Sequence, residues 1–446
     1  MLSAKRQRRW ALGLLILVST FGAAAPAAGQ SSAQLPLQFD FLAPGARSLA
    51  LGGAFIGAAD DATTAFINPA GLALLSRLEL SAEVRYRRIE TPFLKGGRIA
   101  GTITNIGPDT VQGPVYATGV EDYVSPAYFS FIVPFNRVTL AAYAHELVRV
   151  DSSFENDGVF RQSVLLGTPS DRSRTLPISG SRQVTIRNYG GSVGVRLNDR
   201  LSVGGGISAY TFDLDGAFAR YIFEGDVFSP PDRTIVSATA TQEGSGVSLG
   251  ANLGVLWTVT GAVKIGASYR YGPSFSFTQR DQVPVEQFDL VRTGDFRVPD
   301  VFGVGVEWRL SPSVRVVADY DRVRYSELKE DFADIQAIAS GRPDQLKIDD
   351  ADEFHGGVEY VFLQAAKPFA LRAGLWWDPD HSIRYEPTAA GDSIDLLYSA
   401  TLPGGEDVMH YTFGGGIAIT GNVEINAGAD FSKRTTAVTA SAVVRF

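Results

Sequence analysis

The chain has 446 residues, 45% of them hydrophobic and 20% charged, with 47 Gly, 27 Phe, 16 Tyr, 5 Trp, 2 Met and no Cys. That balance excludes a disordered chain, a coiled coil and a disulfide scaffold, and zero cysteine excludes thiol catalysis and zinc–cysteine or iron–sulfur sites. A net charge of −8 argues against a nucleic-acid binder, and a mean hydropathy of +0.03 is too low for a bundle of membrane helices.

The first 29 residues predict a signal peptide. Lys5, Arg6, Arg8 and Arg9 form a basic start, Trp10–Phe21 is a short apolar run, and small residues lead to a cleavage point after Gly29. The run falls short of the ~20 apolar residues that cross a bilayer, and no later run reaches that length. An exported chain of this kind is either soluble outside the cytoplasm or a β-barrel in the membrane.

Residues 30–76 do not read as strands. They carry Gly45–Phe55 with Gly52 and Gly53, then Ala58–Thr63 with Asp60 and Asp61, then Asn68–Pro69–Ala70–Gly71–Leu72. Asp61 is placed to cap a short helix, and Pro69 to open another with Asn68 as its N-cap. The segment is too apolar for a solvated tail, so it is expected to fold as a plug inside a barrel lumen.

Residues 77–446 predict an all-β, antiparallel transmembrane barrel. Val423–Phe431 alternates Val423, Ile425, Ala427, Ala429 and Phe431 against Glu424, Asn426, Gly428 and Asp430, and Val314–Arg322, Phe369–Trp377 and Phe302–Trp308 alternate likewise. The expected strands are 77–90, 126–134, 137–150, 183–197, 201–223, 233–258, 262–279, 298–309, 313–325, 352–363, 368–379, 409–419, 422–432 and 436–446. That is 14, an even number. Tight links such as Phe135–Asn136, Asn198–Arg200 and Thr420–Gly421 alternate with mostly long polar ones such as Thr91–Ser125, Asp151–Arg182 and Asp380–Val408. Short turns on one side and long loops on the other are the pattern of outer-membrane barrels.

The run Gly45–Leu72 resembles the hatch of the FadL-type long-chain fatty acid transporters, and Val298–Tyr325 and Leu371–Asp380 resemble barrel strands of that family. The resemblance implies a 14-stranded barrel plugged by an N-terminal hatch, monomeric and without cofactor or enzymatic activity. Hydrophobic molecules such as fatty acids would pass through the lumen and out sideways into the outer membrane. It places gating at Asn68, Pro69 and Ala70, with Gly52, Gly53, Asp60 and Asp61 as supporting motif, and makes Arg372 the candidate ligand contact. The rival reading is a PorV-like scaffold docking secretion partners on its extracellular loops, because those barrels share a similar start. A general aqueous porin is disfavoured, since a filled lumen blocks ion flow.

Other constellations carry less. The four histidines, His145, His355, His381 and His410, lack a metal-binding spacing, and no nucleophile elbow accompanies them. Gly204–Gly205–Gly206 matches a dinucleotide fingerprint by letter but lies within a strand, where barrel packing explains it. Asp349–Glu353 reads as an acidic loop edge before a calcium site. Arg315, Asp319, Asp321, Glu359, Arg372, Glu424 and Asp430 share the lumen parity and are expected to form a structural network. Trp257, Trp308, Trp376 and Trp377 are expected in an interfacial girdle.

Overall fold

In the computed structural model, which describes residues 41, 43–165, 167–328, 345–387 and 393–446, the alternating sequence closes into a fourteen-strand antiparallel barrel. The wall strands are β1 (Glu79–Arg98), β2 (Gly113–Pro134), β3 (Val138–Asn156), β4 (Ile178–Arg196), β5 (Leu201–Phe223), β6 (Pro231–Thr258) and β7 (Val263–Tyr271 with Ser274–Val283). They continue with β8 (Phe288–Arg297 with Val301–Arg309), β9 (Val314–Val323), β10 (Ala351–Phe362), β11 (Phe369–Asp378), β12 (Val408–Ala418), β13 (Val423–Phe431) and β14 (Thr435–Arg445). Neighbours pair in sequence order, and β1 closes on β14 from Glu79↔Arg445 to Ile89↔Thr435. Closure leaves no free sheet edge, which a lipid environment demands. The leader expected at 1–29 lies outside the described residues.

The strand count holds, but the long loops are shorter than the sequence suggested. Thr91–Ser125 is largely strand, since β1 runs to Arg98 and β2 begins at Gly113. Asp151–Arg182 contains a side hairpin, Phe160–Leu165 against Thr168–Arg174, and Arg280–Arg297 contains the upper halves of β7 and β8 paired with each other. Polar alternation in a barrel wall that extends beyond the membrane looks like loop when apolarity is the only guide.

The outward face carries the apolar positions. Val247, Leu249, Leu253 and Val255 of β6 are exposed, as are Phe354 of β10 and Leu371 and Leu375 of β11. Trp257 and Trp308 stand exposed at the short-turn end, as a girdle requires. Trp376 does not: it faces the lumen, stacked between the rings of His355 (5.2 Å) and His410 (3.8 Å). The girdle expectation for it is therefore wrong, because at that position in β11 the even-numbered residues point inward.

Two interruptions break the wall. β2 pairs with β3 only from Tyr128↔His145 to Pro134↔Thr139; above that row β2 bonds to β1 and β3 to β4. Pro126 lacks the N–H that would extend the ladder, and β3 bulges between Glu146 and Val148. The second interruption lies between β6 and β7, where no row joins Gly244–Gly250 to the neighbouring strand. There Pro273 and Pro299 split β7 and β8 at the same height.

Candidate functional site

Residues 43–75 occupy the lumen. Their helices α1 (Ala46–Ala50) and α2 (Thr64–Ile67) and the 3-10 turn Pro69–Leu74 are almost wholly buried. Main chain meets main chain there because the wall offers glycines with no side chain in the way. A Cβ on Gly204 would stand 2.3 Å from the Pro69 carbonyl carbon, one on Gly254 2.0 Å from Asn68 Oδ1, and one on Gly266 2.2 Å from the Ile56 oxygen. On the opposite wall a Cβ on Gly357 would stand 2.6 Å from the Leu51 oxygen, and one on Gly374 2.5 Å from Gly52 N. Many of these glycines face one another across the ladder, as Gly204↔Gly254, Gly305↔Gly266 and Gly357↔Gly374 do. They form a recessed belt at one height, and Gly204 is part of it.

Asn68 is the joint between plug and wall. It is fully buried; its amide donates to Ile56 O (2.9 Å) and Val255 O (3.2 Å), and its Oδ1 accepts from Ala70 N (3.2 Å). It thus caps the turn that Pro69 opens, as the sequence indicated. Asn252 adds two contacts, to Ala65 O and Phe66 O, both 3.0 Å. Asp61 does not cap α2 through the helix's own first turn; it closes a tight turn onto Thr63, accepting from N (2.9 Å) and Oγ1 (2.6 Å).

On the far side Gly52 and Gly53 adopt φ of +71° and +83° and press on the wall. Their left-handed backbone, which other residues adopt at a cost, aims the Gly52 carbonyl at His355 Nδ1, 2.7 Å away. Asp319 then accepts from Phe55 N (2.5 Å) and Ile56 N (2.6 Å).

Charges gather toward the short-turn end. Asp60 meets Arg47 (2.8 Å) and Arg315 (2.9 Å). Burial works against its charge, but Arg47, Arg315, Lys264 and Arg309 together hold its carboxyl well below the usual carboxylate range. Arg47 reaches Glu359 (3.1 Å), and Glu359 accepts from Arg372 (2.7 Å), which also donates to Asn426 Oδ1 (2.8 Å). Of the network expected from the lumen parity, Arg315, Glu359, Arg372 and, through Asn426, Glu424 are joined here, whereas Asp319 holds the plug backbone, Asp321 faces His355 and Asp430 binds Trp376 and His410. Arg372 belongs to it and does not line the cavity above. The Asp349–Glu353 run is shared out among Arg384, Arg322 and His355.

Above the plug lies a cavity open at its mouth, lined by Phe41, Ile56, Phe66, Tyr210, Tyr271 and Val298 among others. Arg270 also lines it and lies 5.1 Å from the centre of the Phe66 ring. Among the described residues no carboxylate lies within ion-pairing distance of Arg270. Leu147, at the β3 bulge, belongs both to this cavity and to the small pocket between β2 and β3. Sequence reasoning missed Arg270, Leu147 and the glycine belt. The belt did have a signal, since its glycines fall on lumen parity strand after strand.

A family model described as outer membrane protein transport protein (OMPP1/FadL/TodX) matches residues 170–443, more than half of the chain. The chain belongs to this family. Its members are transporters or channels of the outer membrane and not enzymes. No curated protein matches the sequence. Among solved structures, a Pseudomonas aeruginosa FadL homologue is similar at TM-score 0.58 with 12% identity, covering 92% of this chain and 99% of its own. The P. putida toluene transporter TodX is similar at 0.55 with 12% identity (91% and 99% covered), and the CymD monoaromatic hydrocarbon channel at 0.54 with 12% (92% and 99%). Identities this low speak for the fold alone.

Proposed function

We propose that this barrel takes up hydrophobic small molecules passively, holding them in the cavity over the plug and releasing them when the plug shifts. The observation that carries this is the cavity: aromatic and aliphatic side chains line it together with Arg270, His355 and the carboxylates Asp321, Glu353, Asp378 and Asp430, and it rests on the plug at Gly52, Gly53 and Ile56 and reaches the β2–β3 gap at Leu147. Apolar surface facing a lumen cavity is favourable when a hydrophobe covers it, at about 25 cal/mol per Å². Release runs sideways through the β2–β3 gap, where the wall is held by side chains instead of a ladder, as in Ser125 Oγ to Glu146 (2.5 Å) and Tyr123 OH to Arg149 O (2.9 Å). Asn68, Pro69 and Ala70 move as one capped turn, so the gate shifts without unfolding.

The substrate class we infer is an amphiphile with an acid head, such as a long-chain fatty acid, because Arg270 offers a cation with no carboxylate partner among the described residues. The aromatic residues Phe66, Tyr210 and Tyr271 in the lining support a second reading, an uncharged aromatic hydrocarbon. Binding of laurate and of toluene to the purified barrel, with and without Arg270→Gln, separates them. Loss of laurate binding alone supports the acid; toluene bound equally by both forms, with laurate never bound, supports the hydrocarbon. Binding of neither sinks the transport reading.

A further inference from the structure

One titratable side chain fastens the plug to the wall. His355 on β10 points Nδ1 at the Gly52 carbonyl (2.7 Å) and Nε2 toward Glu353 (3.4 Å) and Asp321 (3.8 Å). A carbonyl oxygen only accepts, so the contact to Gly52 needs a proton on Nδ1. Nε2 makes no hydrogen bond of its own, but it lies between two carboxylates, whose negative charge favours a second proton there. The ring lies flat on Trp376, with 17° between planes, which holds both nitrogens on their targets.

The other charged groups near this ring are already engaged. Asp319 of β9 receives Phe55 N and Ile56 N. Asp378 of β11 is paired with His381 (3.2 Å), and Asp430 of β13 receives Trp376 Nε1 and His410 Nδ1. Arg270 of β7 stands elsewhere on the cavity lining. Tyr325 OH reaches Glu353 at 3.5 Å. Asp321, and the Glu353 oxygen that Tyr325 does not engage, are therefore the carboxylates that face His355.

We propose that His355, as an imidazolium, is a positioning residue that clasps the Gly52–Gly53 turn to the wall and lets it go on losing one proton. The inference rests on reading the plug as a gate. Without the proton the Nε2 lone pair faces two carboxylates, and the bond to Gly52 falls from charge-assisted to neutral strength. Both glycines line the cavity floor, so their release opens it from below.

The test is conductance of the full mature chain in planar bilayers from pH 5 to pH 10. Wild type is expected to rise about tenfold along a one-proton curve, the change expected when a hydrogen bond to a charged group falls to neutral strength. His355→Gln keeps a donor for Gly52 but cannot titrate, and its conductance should be flat. Glu353→Gln, which removes one partner, should move the rise to lower pH, and His410→Gln should leave it in place. A flat wild type, or the same rise in His355→Gln, overturns the clasp. Uptake of toluene, uncharged at every pH, is measured in parallel vesicles. Normal toluene uptake with a flat conductance profile removes the clasp alone, whereas absent uptake at every pH removes the transport reading.

Discussion

Replacing Asn68 by alanine removes three hydrogen bonds from a side chain with no solvent exposure. At about 1 kcal/mol net for each, the loss is ~3 kcal/mol, and a buried Ile56 carbonyl left without its donor adds ~1–3 kcal/mol more. The wall itself loses little, because the Val255 carbonyl can still serve in the ladder. The cost thus falls on the seating of the plug, not on the barrel. At 1.4 kcal/mol per tenfold, the combined ~4–6 kcal/mol raises the unseated fraction on the order of a thousand- to ten-thousandfold. Planar-bilayer conductance should therefore rise, and protease should cut the 41–75 segment faster, while far-UV circular dichroism and the heat-modified gel shift of the barrel stay as in wild type. Unchanged conductance together with unchanged cutting would refute the role given to Asn68.

Gly254→Ala puts a methyl 2.0 Å from Asn68 Oδ1 and should cost ~1–3 kcal/mol in plug seating, whereas Gly421→Ala, with nothing within 4 Å, should cost less than ~0.5 kcal/mol; equal protease protection of the two variants contradicts the belt. Cysteines at Ser125 and Glu146, whose side-chain oxygens meet at 2.5 Å across the β2–β3 gap of a chain with no other cysteine, should stop uptake when joined by a short cleavable thiol cross-linker and restore it when the linker is cleaved; uptake indifferent to the link rejects this exit. Asp60 is held below its ordinary carboxyl value in the folded chain, so its stabilising contribution is complete above the unfolded value near 4 and is lost as pH falls toward the lower folded value. The difference in melting temperature between wild type and Asp60→Asn should therefore be constant from about pH 8 to pH 5 and shrink below about pH 4; a difference that shrinks already at pH 6 contradicts the ion-pair assignment.

The barrel was legible because period-two alternation survives in every wall strand and the short turns recur on one side. Asn68 and Pro69 were legible because an N-cap and a following proline act locally, within three residues. Strand ends were not: the upper halves of β1, β2, β7 and β8 stand above the lipid, where polar outward residues erase the alternation of hydropathy. Trp376 was misplaced because a tryptophan near a strand end reads as interfacial, yet its inward parity sets it between two histidines. His355, His381 and His410 looked scattered along the chain; His381 and His355 meet the nearby Asp378 and Glu353, while only strand register brings Asp321 to His355 and Asp430 to His410. Arg270 had no sequence mark at all, since what distinguishes it is the lack of a carboxylate partner among the described residues, a property of the folded lumen.

The most direct test of the central claim, that the cavity over the plug holds a hydrophobic small molecule, is native mass spectrometry of the barrel released from membranes in mild detergent. The prediction is one hydrophobic small molecule per chain, displaced by added laurate or toluene and depleted by Phe66→Ala, which takes away the ring beneath Arg270. An empty barrel that instead carries stoichiometric protein partners would contradict transport and favour a scaffold that docks secretion machinery.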